Sequence, residues 1–215
     1  MQEIELLNLM LEHQDRLNAQ IHPNWREQRF PWHRAIWMEC AELMDCFSWK
    51  WWADREREVD WDNVKIELAD IWHFVLSWAL QDGLDRDTML RDWETAPVPS
   101  NIKRQIEYIV NDATAIYRGL RDLHFAFVCL CKALGLDFEA LARVYFGKNV
   151  LNRFRQKHGL KEGRYSRLWN GVEDNKVMLR LIEDLEVLPL SSFEAELTQR
   201  LEAEYIKAAK GTGRK

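Results

Sequence analysis

The chain has 215 residues, 47% of them hydrophobic and 30% charged, and carries a formal net charge of −5. These values are typical of a soluble protein with one sizeable core, and we expect a single domain over residues 1–215. The negative net charge argues against a general nucleic-acid binder. The apolar runs are too short for a membrane span, and the N-terminus does not resemble a signal peptide. We therefore expect a cytoplasmic protein.

Apolar residues recur at helical spacing along almost the whole chain, and no run alternates convincingly as a half-buried strand would. The pattern predicts helices near residues 3–20, 32–53, 60–82, 101–117, 120–134, 137–158, 173–187 and 191–209. Residues 84–100 could be a surface insertion, residues 159–172 are predicted to be a loop, and residues 210–215 are predicted to be a flexible tail. The predicted fold class is all-α, and the four cysteines are expected to be small core residues.

Two acidic pairs stand on consecutive predicted helices, Glu39 with Glu42 and Glu67 with Asp70. Residues three apart share one helix face, so the two pairs can converge if the helices pack antiparallel. Four carboxylates in one place repel and retain protons unless cations neutralise them, and Mg²⁺ is the natural oxygen-ligated cation. The pattern therefore predicts a two-metal site for displacement at phosphorus, with two solvated helix faces as the alternative.

A second interpretation of the acidic residues is a di-iron carboxylate site. Asp70-x-x-His73 is close to the Glu-x-x-His motif of ferritin-like bundles, but those bundles use such a motif on two helices. No second motif is apparent, so His73 is predicted to be a satisfied core or interface histidine. A non-catalytic helical interaction protein is a further alternative.

A basic stretch balances the acidic one, because residues 137–180 carry ten Lys and Arg against five Asp and Glu, whereas residues 31–70 carry the reverse ratio. Lys148, Asn152 and Arg155 lie at positions i, i+4 and i+7, on one stripe of a helix. Asn can match the imide edge of a uracil, and Arg and Lys bind phosphate oxygens. The loop that follows carries further Lys and Arg among glycines, so it could close over phosphates. A solvated basic surface is the alternative.

Several segments occur in an order and spacing that is specific when they are taken together. They are 14-QDRLN-18, 39-ECAE-42 leading to 48-SWKWW-52, 67-ELAD-70, 145-YFGKNVLNRFRQ-156, 160-LKEGRY-165 and 171-GVEDN-175. The chain resembles the dimeric all-α dUTP pyrophosphatases, which are related to MazG-type nucleotide hydrolases. It departs from the family pattern at Ser48, where some members have Pro, and after Gly159, where an aromatic residue is common.

The resemblance implies a helical bundle of the all-α nucleotide pyrophosphatase type, assembled as a homodimer. It implies Mg²⁺-dependent hydrolysis of dUTP, and also of dUDP, to dUMP by attack of water on the β-phosphorus. Pyrophosphate or phosphate is released, and a segment closes on the nucleotide. A pyrophosphatase of another nucleotide is the alternative within the same chemistry, and it would differ in the base pocket.

The resemblance also implies roles for particular residues. Two or three Mg²⁺ ions would be held by Glu39, Glu42, Glu67 and Asp70, with Glu39 as the first choice for the general base and Glu42 as the second. The deoxyuridine would be recognised by Gln14, Asn18, Trp51 and Asn152. Phosphates would be bound, or the site closed, by Lys148, Arg155, Lys161, Tyr165 and Asn175.

Overall fold

The computed structural model describes residues 2–53, 56–114 and 119–212. In chain order these residues form α1 (Glu3–Ile21), α2 (Trp32–Asp45), α3 (Trp61–Asp82), α4 (Arg86–Thr95), α5 (Ile102–Thr114), α6 (Leu120–Ala133), α7 (Phe138–Lys157), β1 (Leu168–Trp169), β2 (Val172–Glu173), α8 (Asp174–Asp184) and α9 (Leu190–Thr212). The predicted all-α class is confirmed. None of the helices in the described ranges combines the length and the hydropathy that crossing a membrane requires.

The chain divides into two compact units, Met1–Ala142 and Arg143–Lys215, called here the N-terminal unit and the C-terminal unit. The boundary falls inside α7, one turn after that helix begins. The prediction of a single domain over residues 1–215 stays a prediction.

The N-terminal unit is a bundle in which α2 packs along α3 and α5, while α6 packs on α3, α4 and α5. Trp72 of α3 is fully buried and stacks on Phe127 of α6, with ring centroids 5.5 Å apart. Its indole Nε1 donates to the sulfur of Met10 on α1 at 3.3 Å, so three helices meet at this ring. The four cysteines are free and buried, as expected for small core residues.

Helix α3 has the boundaries that its sequence signals predict. The Asp60 carboxylate accepts a hydrogen bond from the Asn63 backbone N–H at 3.2 Å, which satisfies one of the first free N–H groups of the helix. Gly83 ends the helix with a φ of 82°, a left-handed conformation that glycine adopts without steric cost.

Helix α2 is shorter than predicted, because it ends at Asp45 and not near residue 53. The chain turns away at Ser48, whose carbonyl accepts a hydrogen bond from Lys103 Nζ and whose hydroxyl donates to the Arg57 carbonyl, each at 2.7 Å. These contacts replace helical ones, and the following tryptophans have only modest helix propensity. Residues 49, 51 and 52 are therefore displayed on a surface turn.

Residues 86–95, inside the stretch considered as an insertion, form α4, with Met89 and Trp93 buried where the helix contacts α1 and α6. The predicted end of the helix near residue 117 lies outside the described residues, since α5 is described to Thr114.

The C-terminal unit is built from α7, α8, α9 and a small hairpin. Gly147 of α7 lies against Ile182 and Met178 of α8, and a side chain at that position would overlap Ile182. Phe154 of α7 packs edge-on against Tyr205 of α9, with ring centroids 5.5 Å apart. Helix α9 reaches Thr212, and residues 213–215 of the predicted tail lie outside the described part of the chain.

The prediction of a loop at residues 159–172 was wrong in one respect, because this segment contributes to a hairpin. Strands β1 and β2 pair antiparallel, with Leu168 opposite Glu173 and Trp169 opposite Val172. Asn170 and Gly171 form the turn, with φ angles of 51° and 83°. Asn-Gly is the dipeptide that favours a two-residue hairpin turn, so the signal was present in the sequence although the strands are too short for a visible alternation.

A buried ionic cluster joins α4 to α6 in the N-terminal unit. The Asp92 carboxylate accepts hydrogen bonds from His124 Nδ1 at 2.6 Å and from Arg121 Nη1 at 2.5 Å. His124 is fully buried, and burial lowers the pKa of its imidazole, although the hydrogen bond to Asp92 acts in the opposite direction. The histidine is therefore held in its neutral form.

We expect the free energy of unfolding to fall as the pH drops below about 6.5. The unfolded chain takes up a proton at His124 near that pH, whereas the folded chain resists protonation, so the stabilisation is present above the unfolded pKa and is lost as the pH approaches the lower folded value. The slope is at most about 1.4 kcal/mol per pH unit. Urea unfolding between pH 5 and 7.5 measures it, and His124→Gln should flatten the profile. An equally steep profile in that variant would contradict the assignment.

Candidate active site

Three carboxylates from α2 and α3 meet at one point of the N-terminal unit. Glu39, Glu67 and Asp70 each offer a ligand atom, and these atoms all lie within 4.8 Å of one another. Glu67 is only 4% exposed, and its Oε2 atom has no hydrogen-bond partner. Among the described residues, this is the one group of three or more acidic, His or Cys side chains that is close enough to hold a metal ion.

The protonation of Glu67 reflects its surroundings. Burial, the hydrogen bond with Glu39 and the charges of Asp70, Glu39 and Glu42 together raise the pKa of Glu67 to about 9. At neutral pH the metal-free carboxyl group therefore keeps its proton. Binding of a cation would displace that proton and give the unpartnered oxygen a ligand.

The donor set fits a magnesium ion. It consists of carboxylate oxygens alone, which hard divalent cations prefer. Mg²⁺ binds oxygen at about 2.0–2.1 Å, so two ligands of one ion lie at most about 4.2 Å apart. The observed separations of up to 4.8 Å need only small side-chain adjustments to reach that range.

Glu42, the fourth predicted carboxylate, is not part of the three-residue group. It is exposed on α2 and borders a cleft of about 670 Å³, a size typical of small-molecule sites. The cleft is lined by Ala41, Glu42, Asp45, Cys46, Trp49, Lys50, Arg57, Glu58, Asp60 and Asn63. An open cleft with mixed charges thus begins one helical turn from Glu39.

The tryptophans after α2 differ in their placement. Trp49 lines the cleft, whereas Trp51 is 72% exposed and packs edge-on against Trp52, with ring centroids 5.5 Å apart. The nucleoside contact predicted for Trp51 stays a prediction. Trp49 is an aromatic wall that the sequence-based interpretation did not single out, because nothing in the WKWW run distinguishes its members before the turn is known.

Gln14 and Asn18, which are predicted to contact the nucleoside, are both buried on α1. Gln14 Nε2 and Asn18 Nδ2 donate to the Ser77 hydroxyl of α3 at 3.0 and 2.9 Å. Ser77 in turn donates to the His73 carbonyl at 2.8 Å. A hydrogen-bonded polar network therefore joins α1 and α3 about two turns from Asp70. The sequence-based interpretation did not single out Ser77, because its sequence neighbours are apolar.

His73 is buried outside the group of three carboxylates. Its Nδ1 atom donates to the Ala69 carbonyl at 2.7 Å, one turn earlier on α3. This contact agrees with the predicted role as a core histidine and does not require a metal.

All five predicted phosphate-binding residues lie in the C-terminal unit. Lys148 and Arg155 are 2% and 5% exposed, and both donate to the Asn175 side-chain oxygen, from Nζ at 3.1 Å and from Nη2 at 2.9 Å. Arg155 Nη1 also donates to the Asn152 side-chain oxygen at 3.2 Å. On the stripe predicted on α7, Lys148 and Arg155 are therefore buried, whereas Asn152 is partly exposed.

Asp174 is a member of this cluster to which the sequence-based interpretation assigned no role. It is 1% exposed and accepts hydrogen bonds from Arg155 Nε at 2.9 Å, Arg155 Nη2 at 2.8 Å and the Tyr165 hydroxyl at 2.7 Å. Burial and the hydrogen bond to Asp174 raise the pKa of Tyr165, so its hydroxyl remains a donor. A buried guanidinium needs an acidic partner, which was the available signal.

The loop after α7 is more open. Lys161, Arg164 and Arg167 are all exposed, and Arg164 lies 3.7 Å from the Glu162 carboxylate. The phosphate contact predicted for Lys161 stays a prediction.

The family comparison decides between the remaining interpretations. The family model described as dUTPase matches residues 6–160, well over half of the chain. This chain belongs to the dUTPase family. The dUTPase family hydrolyses dUTP, so the match supports an enzyme and decides against a non-catalytic helical protein. No curated protein matches the chain.

The match places both acidic pairs and the α7 stripe inside the dUTPase family region. It ends before Tyr165, Asp174 and Asn175, so two of the partners of Arg155, Asp174 and Asn175, come from outside the matched residues.

Proposed function

We propose that this dUTPase requires Mg²⁺ and that it hydrolyses dUTP and dUDP to dUMP, releasing pyrophosphate or phosphate. The observation that carries the proposal is the convergence of Glu39, Glu67 and Asp70, with one buried oxygen of Glu67 lacking a partner. A cluster of this kind is unfavourable without a cation, because burial and like charges both oppose ionisation.

Two or three Mg²⁺ ions would be held by Glu39, Glu42, Glu67 and Asp70. When bound, the metal would lower the pKa of a coordinated water and neutralise charge on the phosphate oxygens. Glu39 is only partly buried, and we assign it to accept the proton of the water that attacks the β-phosphorus, with Glu42 as the second choice. Glu67, the most buried of the four carboxylates, fixes the position of the cluster.

The residues of the C-terminal unit would bind the phosphates. Lys148 supplies a compact positive charge, and Arg155 and Asn175 supply directed N–H donors. Tyr165, whose hydroxyl proton is donated to Asp174, helps to close the site, and Lys161 approaches from the exposed loop. The nucleoside would be contacted by Gln14, Asn18, Trp51 and Asn152. The Asn152 side-chain oxygen already accepts from Arg155, which links base recognition to phosphate binding through one guanidinium.

The active form would be a homodimer. Trp37 and Met38 stand next to each other on α2 and are 48% and 58% exposed, which is unusual for large apolar side chains. Aromatic residues and Met are enriched in protein interfaces. An interface on this face of α2 would leave the opposite face of the helix free to pack on α3.

The proposal is tested by measuring pyrophosphate and phosphate release from dUTP, dUDP, dTTP, dCTP and UTP, with Mg²⁺ and with a chelator. We expect turnover of dUTP and dUDP with Mg²⁺, much slower turnover of the other nucleotides, and none with the chelator. Activity confined to ribonucleotides, or activity that persists with the chelator, would contradict the proposal.

A further inference from the structure

Asp174 is the centre of the polar cluster in the C-terminal unit. Besides Arg155 and Tyr165, its carboxylate accepts the backbone N–H of Asn175 at 2.8 Å. Arg155 and Asp174 form an ion pair in which the side chains are 6% and 1% exposed. Four hydrogen bonds to one buried carboxylate fix that group, and with it the groups that donate to it.

The pairing determines how Arg155 can meet a ligand. The Nε and Nη2 atoms form one of the edges with which an arginine can bind a carboxylate or a phosphate in two parallel hydrogen bonds. Asp174 occupies that edge, with contacts of 2.9 and 2.8 Å. Bidentate binding of phosphate through that edge is therefore not available in this arrangement, and a phosphate would meet Arg155 through another part of its guanidinium.

Asn175 is oriented by the same pair. Its side-chain oxygen accepts from both Lys148 and Arg155, so the two cations fix the plane of the amide group. The amide nitrogen is the opposite end of that plane and is a donor, which suits a phosphate oxygen. Tyr165 is held in a similar way, because its hydroxyl is directed at Asp174.

We propose that Asp174 is a positioning residue, which holds Arg155 and Asn175 in the orientation that binds the phosphates of the nucleotide and fixes Tyr165 beside them. The proposal rests on the proposed function, since it takes these residues to be the phosphate site. The chain beyond the dUTPase family match then supplies part of the binding machinery, because Asp174 and its partner Tyr165 both follow residue 160.

The competing explanation is that the ion pair only stabilises the C-terminal unit. The sign of the change in anion binding on removal of Asp174 distinguishes the positioning role from a purely stabilising one. Asp174 places a negative charge in the phosphate site, so its removal should strengthen anion binding if orientation plays no part. If orientation matters more, its removal should weaken anion binding.

The test compares two ligands that differ in a single phosphate, dUMP and deoxyuridine, as competitive inhibitors of dUTP hydrolysis. In Asp174→Asn we expect the inhibition constant of dUMP to rise about tenfold and that of deoxyuridine to stay within about twofold, since one charge-assisted hydrogen bond is worth about 1.5 kcal/mol. The matched control is Glu173→Gln, which removes the neighbouring, exposed carboxylate and should change neither constant.

Asp174→Glu covers the case in which Asp174→Asn does not fold, because it keeps the buried charge and moves the carboxylate by one methylene. We expect the same selective loss of dUMP affinity in that variant. Tighter binding of dUMP in Asp174→Asn, or an equal loss for both ligands in either variant, would overturn the positioning role. Failure of the proposed function is a different result, because the wild-type protein would then show no Mg²⁺-dependent dUTP turnover.

Discussion

Replacement of Glu67 by Gln is expected to lower kcat for dUTP by about 10³-fold, which corresponds to about 4 kcal/mol of transition-state stabilisation. Gln has nearly the same shape as Glu, but it lacks the second carboxylate oxygen that now has no partner and it cannot neutralise a cation. The protein should stay folded, because the substitution removes a group whose burial is costly. Steady-state kinetics and a thermal unfolding curve measure the two effects.

The control is Asp62→Asn, which removes an exposed carboxylate from the same helix, α3. Its kcat should lie within about twofold of wild type, because exposed charges outside the site contribute little. Mg²⁺ should raise the unfolding temperature of the wild-type protein and of the control more than that of Glu67→Gln, since the stabilisation by a ligand falls as its affinity for the folded form falls. Wild-type turnover in Glu67→Gln would exclude the cluster of Glu39, Glu67 and Asp70 from catalysis.

Replacement of Arg155 by Ala is expected to lower kcat/KM for dUTP by about 10²- to 10³-fold and also to destabilise the protein. The kinetic loss follows because a preorganised cation acts on charge that develops at the leaving phosphate. The second effect follows because Asp174 would be left buried and unpaired, which costs about 3–5 kcal/mol. Kinetics at a temperature well below the unfolding transition separate the two effects.

Two further variants sharpen this prediction. Lys157→Ala removes a 67%-exposed cation from the same helix and should leave kcat/KM nearly unchanged. Arg155→Lys keeps the charge but cannot form the paired contacts to Asp174, so it should recover only a small part of the activity. Full activity in Arg155→Lys would show that the guanidinium geometry is not used.

The helical fold was largely predictable, because its signals are local. The 3.6-residue period of the core positions, the Asp60 cap and the left-handed Gly83 each act within a few residues. The prediction of α2 erred at its end because Ser48 is bound by Lys103, which is distant in sequence. No local propensity reports such a contact.

The cluster of Glu39, Glu67 and Asp70 was also predictable, because its signals in the sequence are local. Spacing places Glu67 and Asp70 on one face of α3, and the repulsion between neighbouring carboxylates suggests that a cation must bind to them. The clustering of Arg155 with Tyr165, Asp174 and Asn175 depends instead on a hairpin that returns the chain to α7, and the family resemblance named three of these residues but not Asp174. An acid at a helix start is common on local grounds, so its pairing with a buried arginine was not evident from the sequence.

The central claim is that the cluster of Glu39, Glu67 and Asp70 on α2 and α3 binds Mg²⁺. Calorimetric titration of Mg²⁺ into the metal-free protein, in parallel with Glu67→Gln, tests it most directly. We predict saturable binding to the wild-type protein, with release of protons as Glu67 ionises, and an affinity at least tenfold weaker in the variant. Equal Mg²⁺ binding by the two proteins would contradict the account.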